Sequence, residues 1–199
     1  MSAITSPLLT PEQYLAQERA ASHKSAYYRG EVFAMAGASV EHTQIKDNFA
    51  AEARAQFKDG SCRALTSDRR VKVSATGLYT YPDMVIVCGQ LQLEDSKFDT
   101  LLNPQVIVEV LSDSTEKYDR GSKFAQYRQI PSLKEYILIA QDSPLLERYV
   151  RQPDGMWMLA IFNELTATFE LASVPVRIPL TEIYRGVKFP VDAGRQRAE

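Results

Sequence analysis

The stretch VIVEVLSDSTEKYDRGSKFAQYR, residues 106–128, decides how the rest of the chain is organised. Its first part is a continuous apolar run, which indicates a strand buried on both faces. Glu109 interrupts that run, and an unpaired carboxylate buried there would cost several kcal/mol. Glu109 therefore needs a partner: a cation, a metal ion or a shared proton. The second part predicts a helix that carries Lys123, and we expect Lys123 to act beside Glu109.

The segments around this stretch predict one α/β domain, residues 1–199, built on a mixed sheet. Strand patterns fill residues 61–88, and a further strand is expected at residues 133–140, directly after the predicted helix. The order strand–helix–strand implies a parallel, right-handed crossover. Residues 89–103 are polar and are expected to form a solvated loop. The charged tail from about residue 194 is expected to fray.

Helix and turn signals locate the other elements. Residues 10–19 have a threonine, a proline and an early acid at their start, which predicts a short helix. Ser39 is a suitable N-cap for a long helix. Asp113 and Glu116 have the spacing of a capping box, so we expect the central helix to start at Asp113 with an anion-binding N-terminus. Residues 146–161 predict an antiparallel hairpin, followed by short C-terminal strands.

Composition favours a globular protein without a broad basic surface. Of the 199 residues, 45% are hydrophobic and 24% charged, and the formal net charge is -2, which excludes an extended positive field for nucleic acid. There is no basic-then-apolar signal segment, and no apolar run approaches the ~20 residues of a membrane span. We expect a cytoplasmic protein with no membrane partner. Cys62 and Cys88 belong to no CxxC pair and are expected to be reduced core thiols.

Asp83 and Glu109 are the candidate metal ligands. Each lies on an apolar strand, and two acids on neighbouring strands can converge on a divalent cation. Mg²⁺ prefers oxygen ligands, keeps several waters and commonly takes one or two protein carboxylates. The pair therefore suits Mg²⁺, with Glu31 as a third acid. The structural alternative is that Asp83 caps a turn and Glu109 pairs with a lysine for stability alone.

Lys123 and His42 are the other candidate site residues. Lys123 is four residues from both Asp119 and Tyr127, so the three side chains share one helix face. There Lys123 would orient a water or stabilise negative charge developing on a phosphate; the alternative is an exposed Asp119–Lys123 pair of little energetic value. His42 lies at the N-terminal end of the apolar stripe of its helix. One interpretation is a histidine bonded to a backbone carbonyl. The other is a histidine at the site, which supports a site residue or contacts the substrate.

These residues together resemble a known family. The motifs are Pro82-Asp83, Glu109-Val110-Leu111-Ser112, Tyr118-Asp119-Arg120-Gly121-Ser122-Lys123-Phe124, Tyr127-Arg128, and Ile130-Pro131-Ser132-Leu133 closed by Glu135-Tyr136. They closely resemble the bacterial Uma family of predicted restriction endonucleases, which belongs to the PD-(D/E)xK nucleases. Further matches are Gly30-Glu31, Met35-Ala36-Gly37-Ala38-Ser39, His42 and Ile183-Tyr184. The resemblance thus covers almost the whole chain.

The resemblance implies a restriction-endonuclease-like fold, with a mixed central sheet flanked by helices, and a metal site made by Asp83 and Glu109. Glu31 corresponds to the extra acid that many of these nucleases carry before the motif. The common pattern has a lysine two residues after the second acid, and here that position is Leu111. Lys123 would then be a migrated lysine, supplied from the following helix into the same space.

The leading hypothesis is a Mg²⁺-dependent endonuclease, with Mn²⁺ as a substitute metal, that hydrolyses phosphodiester bonds in DNA. The metal would lower the pKa of a bound water and stabilise the pentavalent phosphate, and Lys123 would position the nucleophile or offset charge. Cleavage of both strands would involve a homodimer. The competing hypothesis is a nuclease-like module that binds nucleic acid or protein without turnover. A third is a metal-dependent hydrolase of a small phosphate ester.

Overall fold

The structure, a computed structural model, describes residues 8–35, 37–58, 60–97 and 99–190. The helices in these ranges are α1 (Pro11–Ala20), α2 (Val40–Gln56), α3 (Glu116–Tyr118), α4 (Phe124–Tyr127) and α5 (Leu180–Ile183), with a π-helical turn at Asp119–Lys123. The strands are β1 (Ser25–Tyr28), β2 (Glu31–Ala34), β3 (Cys62–Thr66), β4 (Arg70–Val73), β5 (Leu78–Thr80), β6 (Met84–Cys88), β7 (Thr100–Leu101), β8 (Val106–Leu111), β9 (Glu135–Ala140), β10 (Leu146–Arg151), β11 (Trp157–Phe162), β12 (Thr168–Glu170) and β13 (Arg177–Pro179). The tail from residue 194 lies outside the described residues. No helix in the described ranges has the length and apolarity needed to cross a bilayer.

A six-stranded mixed sheet, in the order β11-β10-β9-β8-β6-β3, carries the central stretch. Strands β8 and β9 are parallel, and every other neighbouring pair in this sheet is antiparallel. The predicted crossover from β8 through helical turns to β9 is therefore confirmed as a parallel connection. Every residue of β8 and of β9 is buried, as their continuous apolar runs predict.

Helix α2 covers one face of this sheet. Ser39 caps it as predicted, since its hydroxyl accepts a hydrogen bond of 3.0 Å from the His42 N–H. The apolar stripe of α2, with Ile45 and Phe49 fully buried, packs in one core with the side chains of β8 and β9 that face it. The other face of β8 carries Glu109, so the site lies on the side of the sheet away from α2's apolar stripe.

A five-stranded sheet, in the order β2-β1-β5-β4-β7, shares a second core with that other face. Strand β7 falls within residues 89–103, so the expectation of a plain loop there is wrong. It pairs in parallel with β4, with Thr100 opposite Arg70. Asp99 binds the buried Arg70 guanidinium at 2.9 Å and Arg19 at 2.7 Å. These ion pairs tie the polar segment to the sheet, because a buried guanidinium needs a carboxylate partner.

The connection between β8 and β9 is not one regular helix. It consists of α3, the π-helical turn and α4. The predicted capping box is wrong, because α3 begins after Thr115 without any side-chain cap. The backbone N–H groups of Thr115 and Glu116 instead donate to the Ser112 carbonyl at 3.0 and 2.9 Å, which starts the turn one residue before Asp113. Helix α3 continues directly into the π-helical turn and α4, and the anion-binding N-terminus expected at the start of this segment stays a prediction.

Cys62 and Cys88 form a disulfide, so the expectation of two reduced thiols is wrong. They stand opposite each other in the antiparallel pair β3–β6, with their Cα atoms 3.9 Å apart. The sequence separation of 26 residues does not predict the disulfide, because the register of two strands depends on the turn between them. The bond ties the edge strand β3 to β6, the strand that Asp83 precedes.

Removing the disulfide is expected to lower the free energy of unfolding by about 3 kcal/mol, because the bond closes a loop of 26 residues in the unfolded chain. Guanidinium unfolding of the wild type with and without reductant, beside the double variant Cys62→Ala/Cys88→Ala, measures the effect. Reductant should shift the midpoint of the wild type and leave that of the double variant unchanged. Equal midpoints in all samples would contradict the expectation.

Candidate metal and catalytic site

Asp83 and Glu109 meet where β6 and β8 join. These strands run antiparallel with Met84 opposite Val108, which places Asp83 beside Glu109. The Val110 N–H donates to Oδ2 of Asp83 over 2.8 Å, and the Asp83 N–H donates to Oε2 of Glu109 over 3.3 Å. The structure thus brings together the two acids that the sequence predicts as metal ligands.

Glu109 is buried, with 3% of its surface exposed. Its Oε1 accepts from the Lys123 ammonium at 2.8 Å and from the Tyr127 hydroxyl at 2.9 Å. Burial raises the pKa of Glu109 to about 8; Lys123 opposes this rise, and the negative charges of Asp119 and Asp83 add to it. A divalent cation at Glu109 would displace the proton that this carboxyl readily takes up.

Lys123 points into the site and not to solvent. Its Nζ lies 2.8 Å from Oε1 of Glu109 and 2.9 Å from Oδ1 of Asp119, and the side chains of Lys123 and Asp119 are 9% and 3% exposed. Burial by itself lowers the pKa of Lys123, but the two carboxylates raise it above its ordinary value. The lysine is therefore cationic, and the alternative of an exposed Asp119–Lys123 pair is wrong.

Two tyrosine rings lie near the Lys123 ammonium. The rings of Tyr118 and Tyr127 have their centroids 5.8 and 5.9 Å from Nζ of Lys123, within the range of a cation–π contact. Leu111 occupies the strand position where the nuclease pattern has its lysine, and it is buried in the core that Tyr127 also joins. The cation next to Glu109 therefore comes from the crossover and not from β8.

His42 and Glu31, the remaining predicted site residues, lie in different surroundings. Nε2 of His42 is 3.1 Å from Oδ2 of Asp83, and its Nδ1 is buried without a hydrogen-bond partner among the described residues. His42 thus contacts a site carboxylate and not a backbone carbonyl. Glu31 is exposed at the start of β2, and no described hydrogen bond or ion pair joins it to Asp83 or Glu109. Its role as an additional acid stays a prediction.

Three residues outside the predicted set also belong to the site. Asp119 binds Lys123, the Tyr127 hydroxyl binds Glu109, and the Tyr136 hydroxyl donates to the Asp119 backbone carbonyl at 3.0 Å. The spacing of four residues on either side of Lys123 was the available signal for Asp119 and Tyr127. Tyr136 was marked only as the last residue of the family motif, because it reaches Asp119 from the strand after the crossover and no helical spacing links the two.

The oxygen atoms of Asp83 and Glu109 fit a hard divalent cation. In the described ranges, no group of three or more His, Cys, Asp or Glu side chains is arranged to hold a metal ion. Oδ1 of Asp83 has no hydrogen-bond partner among the described residues, and Oε2 of Glu109 has only the 3.3 Å contact from the Asp83 N–H. One oxygen of each acid is therefore available. Two carboxylates are sufficient for Mg²⁺, which completes its shell with water.

Comparison with known proteins places this site in a family. Residues 11–181 match the model of the Uma2 family, described as putative restriction endonucleases. The chain belongs to the Uma2 family. Two relatives described as uncharacterized proteins of the cyanobacterium Synechocystis sp. are each 33% identical to it, over 183 and 176 residues. The aligned regions cover 92% and 88% of this chain and 95% and 99% of the relatives. The family resemblance seen in the motifs is thus confirmed.

A solved structure gives the same fold. The crystal structure of a putative nuclease belonging to DUF820 from Anabaena variabilis matches with a TM-score of 0.72 at 15% sequence identity. The match covers 88% of this chain and 97% of that chain. It confirms the nuclease-like mixed α/β fold that the sequence predicts for this Uma2 protein.

Proposed function

We propose that this Uma2 protein is a divalent-metal-dependent endonuclease that hydrolyses phosphodiester bonds in DNA. The observation that carries the proposal is the meeting of Asp83, Glu109 and Lys123 at one point of the sheet, with contacts of 2.8 to 3.3 Å. Membership of a restriction-endonuclease family supports a nuclease. The chemistry of these groups supports the metal, the DNA substrate and the role of Lys123.

Each side chain has a role that follows from its contacts. Asp83 and Glu109 would hold Mg²⁺ or Mn²⁺ through Oδ1 of Asp83 and Oε2 of Glu109, whose one hydrogen bond is the long contact of 3.3 Å from the Asp83 N–H. The bound metal supplies a water of lowered pKa and a positive charge for the phosphate. His42 and the Val110 N–H hold Oδ2 of Asp83, which fixes the direction of its other oxygen. Lys123 keeps an ammonium beside Glu109, where it can donate to a phosphate oxygen or to the attacking water.

The surroundings of the acids favour a polymer over a small ester as the substrate. The side chain of Asp83 is 18% exposed, so the site opens to the surface. A cavity at the carboxyl ends of β8 and β9 is lined by residues that include Ser112, Arg120 and Gln141 but neither Asp83 nor Glu109. A small ester held in that cavity would not contact the two acids, which disfavours the hydrolase of a small phosphate ester.

Cleavage is expected to require a divalent cation. Supercoiled plasmid incubated with the purified protein should be nicked or linearised in Mg²⁺ or Mn²⁺ and should remain intact in EDTA, because the carboxylates alone supply no positive charge for the phosphate. An RNA of matched sequence, run in parallel, tests the preference for DNA. Cutting that persists in EDTA, or intact plasmid under every metal condition, would contradict the proposal.

A binding module without turnover is the second candidate. The formal net charge of -2 and the engagement of Lys123 by two carboxylates favour it. Such a module would bind nucleic acid or protein equally well in Mn²⁺ and in EDTA, and it would show no Mn²⁺ affinity that depends on Glu109. For the nuclease, action on the nucleic acid must depend on the metal, and Mn²⁺ affinity must depend on Glu109.

The proposal also covers the oligomeric state and the cellular location of the protein. A single site of this kind cuts one strand at a time, so cleavage of both strands calls for two copies, and we propose a homodimer on DNA. The two relatives named above are cyanobacterial, which fits a bacterial protein, and the cytoplasm is where such an enzyme would meet DNA.

A further inference from the structure

Asp119 is a buried carboxylate that the chemistry described so far does not use. Its residue is 2% exposed, and its Oδ1 lies 2.9 Å from the Lys123 ammonium. Its backbone carbonyl accepts a hydrogen bond of 3.0 Å from the Tyr136 hydroxyl. Asp119 is therefore fixed through both its main chain and its side chain, and it shares the Lys123 ammonium with Glu109.

The local backbone directs Asp119 and Lys123 to the same place. They are the first and last residues of the π-helical turn, and both are buried although the turn is otherwise accessible. Single π-helical turns inside helical segments occur frequently at functional sites. Here the turn presents one carboxyl group and one ammonium, four residues apart, to the same buried point.

Three carboxyl groups lie around the single ammonium of Lys123. Asp83, Glu109 and Asp119 supply three carboxyl groups, and Lys123 is shared between two of them at 2.8 and 2.9 Å. A divalent cation on Glu109 would weaken the attraction between Glu109 and the ammonium and would repel the ammonium directly. If Glu109 were its only partner, Lys123 would then be a buried cation without an anion, which is strongly unfavourable.

We propose that Asp119 is a positioning residue that retains the Lys123 ammonium beside the site when a divalent cation takes Glu109. This inference rests on the proposed function, because it requires a metal at Glu109. In the metal-free protein the ammonium is shared between Glu109 and Asp119. In the metal-bound protein Asp119 becomes its principal anion, so the lysine stays close to the reacting phosphate.

The test is a double-mutant cycle on Mn²⁺ affinity, measured by titration calorimetry on the full chain without nucleic acid. The four proteins are the wild type, Asp119→Asn, Lys123→Met and the double variant. In the wild-type background, Asp119→Asn should weaken Mn²⁺ binding about tenfold or more, because Lys123 then stays on Glu109. With Lys123 replaced by methionine, there is no ammonium for Asp119 to hold. The effect of Asp119→Asn on Mn²⁺ affinity should then fall within about threefold.

A matched control separates this effect from general damage. Glu94 forms an ion pair with Lys72 in the other sheet, and it also accepts from the Tyr79 hydroxyl at 2.7 Å. Glu94→Gln therefore removes a comparable carboxylate next to a lysine and a tyrosine. It should leave Mn²⁺ affinity unchanged.

Two results would overturn the role of Asp119. Equal weakening by Asp119→Asn with and without Lys123 would make Asp119 a metal ligand or a general source of negative charge. No weakening at all would leave it without a role in the metal-bound state. By contrast, Mn²⁺ binding that is absent in the wild type, or unchanged in Glu109→Gln, would overturn the proposed function itself.

A second measurement needs no Asp119 variant and applies even if that variant does not fold. In wild-type protein with ¹⁵N-labelled lysine, the ammonium signal of Lys123 is identified by its absence from Lys123→Met. The signal should persist when Mg²⁺ saturates the site, because Asp119 still holds the ammonium. Loss of that signal through fast exchange with water on addition of Mg²⁺ would overturn the proposal.

Discussion

Glu109→Gln is expected to lower the rate of metal-dependent DNA cleavage by about a thousandfold or more, since the metal contributes several kcal/mol and each 1.36 kcal/mol is tenfold in rate. Glutamine keeps the size of the side chain and can still accept from the Tyr127 hydroxyl, which is 2.9 Å from Oε1. It lacks the negative charge that Mg²⁺ or Mn²⁺ requires. The measurements are the cleavage rate of plasmid at fixed Mg²⁺, the Mn²⁺ affinity and the melting temperature.

Glu135 offers a matched control on the neighbouring strand. It is fully buried, and its carboxylate accepts from the backbone N–H groups of Ala172 and Ser173 at 2.9 and 2.6 Å. These contacts anchor the segment after β12 and involve no site residue. Glu135→Gln should lower the melting temperature and leave cleavage and Mn²⁺ affinity unchanged. If Glu109→Gln cut DNA as fast as the wild type in carefully purified samples, Glu109 would have no part in the reaction.

Lys123→Met is expected to separate cleavage from metal binding. Loss of the ammonium should slow cleavage about 100-fold or more, the usual effect of removing one group that stabilises charge in the transition state. Mn²⁺ affinity should stay the same or rise, because the cation that competes for Oε1 of Glu109 at 2.8 Å is gone. Cleavage rate and Mn²⁺ affinity of the same preparations measure the separation.

Lys72 is the matched control for this variant. It is a partly buried lysine that binds Glu94 in the five-stranded sheet, and Lys72→Met should leave both cleavage and Mn²⁺ affinity unchanged. Lys123→Met should also be less stable than the wild type by about 3 to 5 kcal/mol, since it leaves buried acids without their cation. Cleavage at the wild-type rate by folded Lys123→Met would show that the lysine is only structural.

The main strands and helices of the fold were predictable because the sequence patterns that indicate them are local and periodic. The apolar runs of β8 and β9 and the Ser39 cap of α2 each depend on neighbouring residues in the sequence. The disulfide between Cys62 and Cys88 was not predictable, because it depends on the register of β3 against β6. Strand β7 was missed for a similar reason. Its two residues pair with β4, and its polar flank is held by Arg19 and Arg70 from distant segments.

The site was predictable wherever an acid interrupts an apolar strand. Asp83 and Glu109 stood out because a buried carboxylate needs a partner, and their contact follows from the register of β6 and β8. The burial of Lys123 was harder to foresee. It depends on a π-helical turn, and no residue pattern distinguishes such a turn from a regular helix. The sequence therefore allowed Asp119 to be interpreted as a surface ion-pair partner, whereas it is one of the most buried acids of the site.

A crystal soaked in Mn²⁺ tests the central claim most directly. The claim is that Asp83 and Glu109 form one metal site with Lys123 beside it. Anomalous scattering should show an ion within about 2.0 to 2.6 Å of Oδ1 of Asp83 and Oε2 of Glu109, the range of metal–oxygen contacts in proteins, with the Lys123 ammonium next to it. At saturating Mn²⁺, absence of an ion at these two oxygens, or an ion bound only elsewhere, would contradict the account.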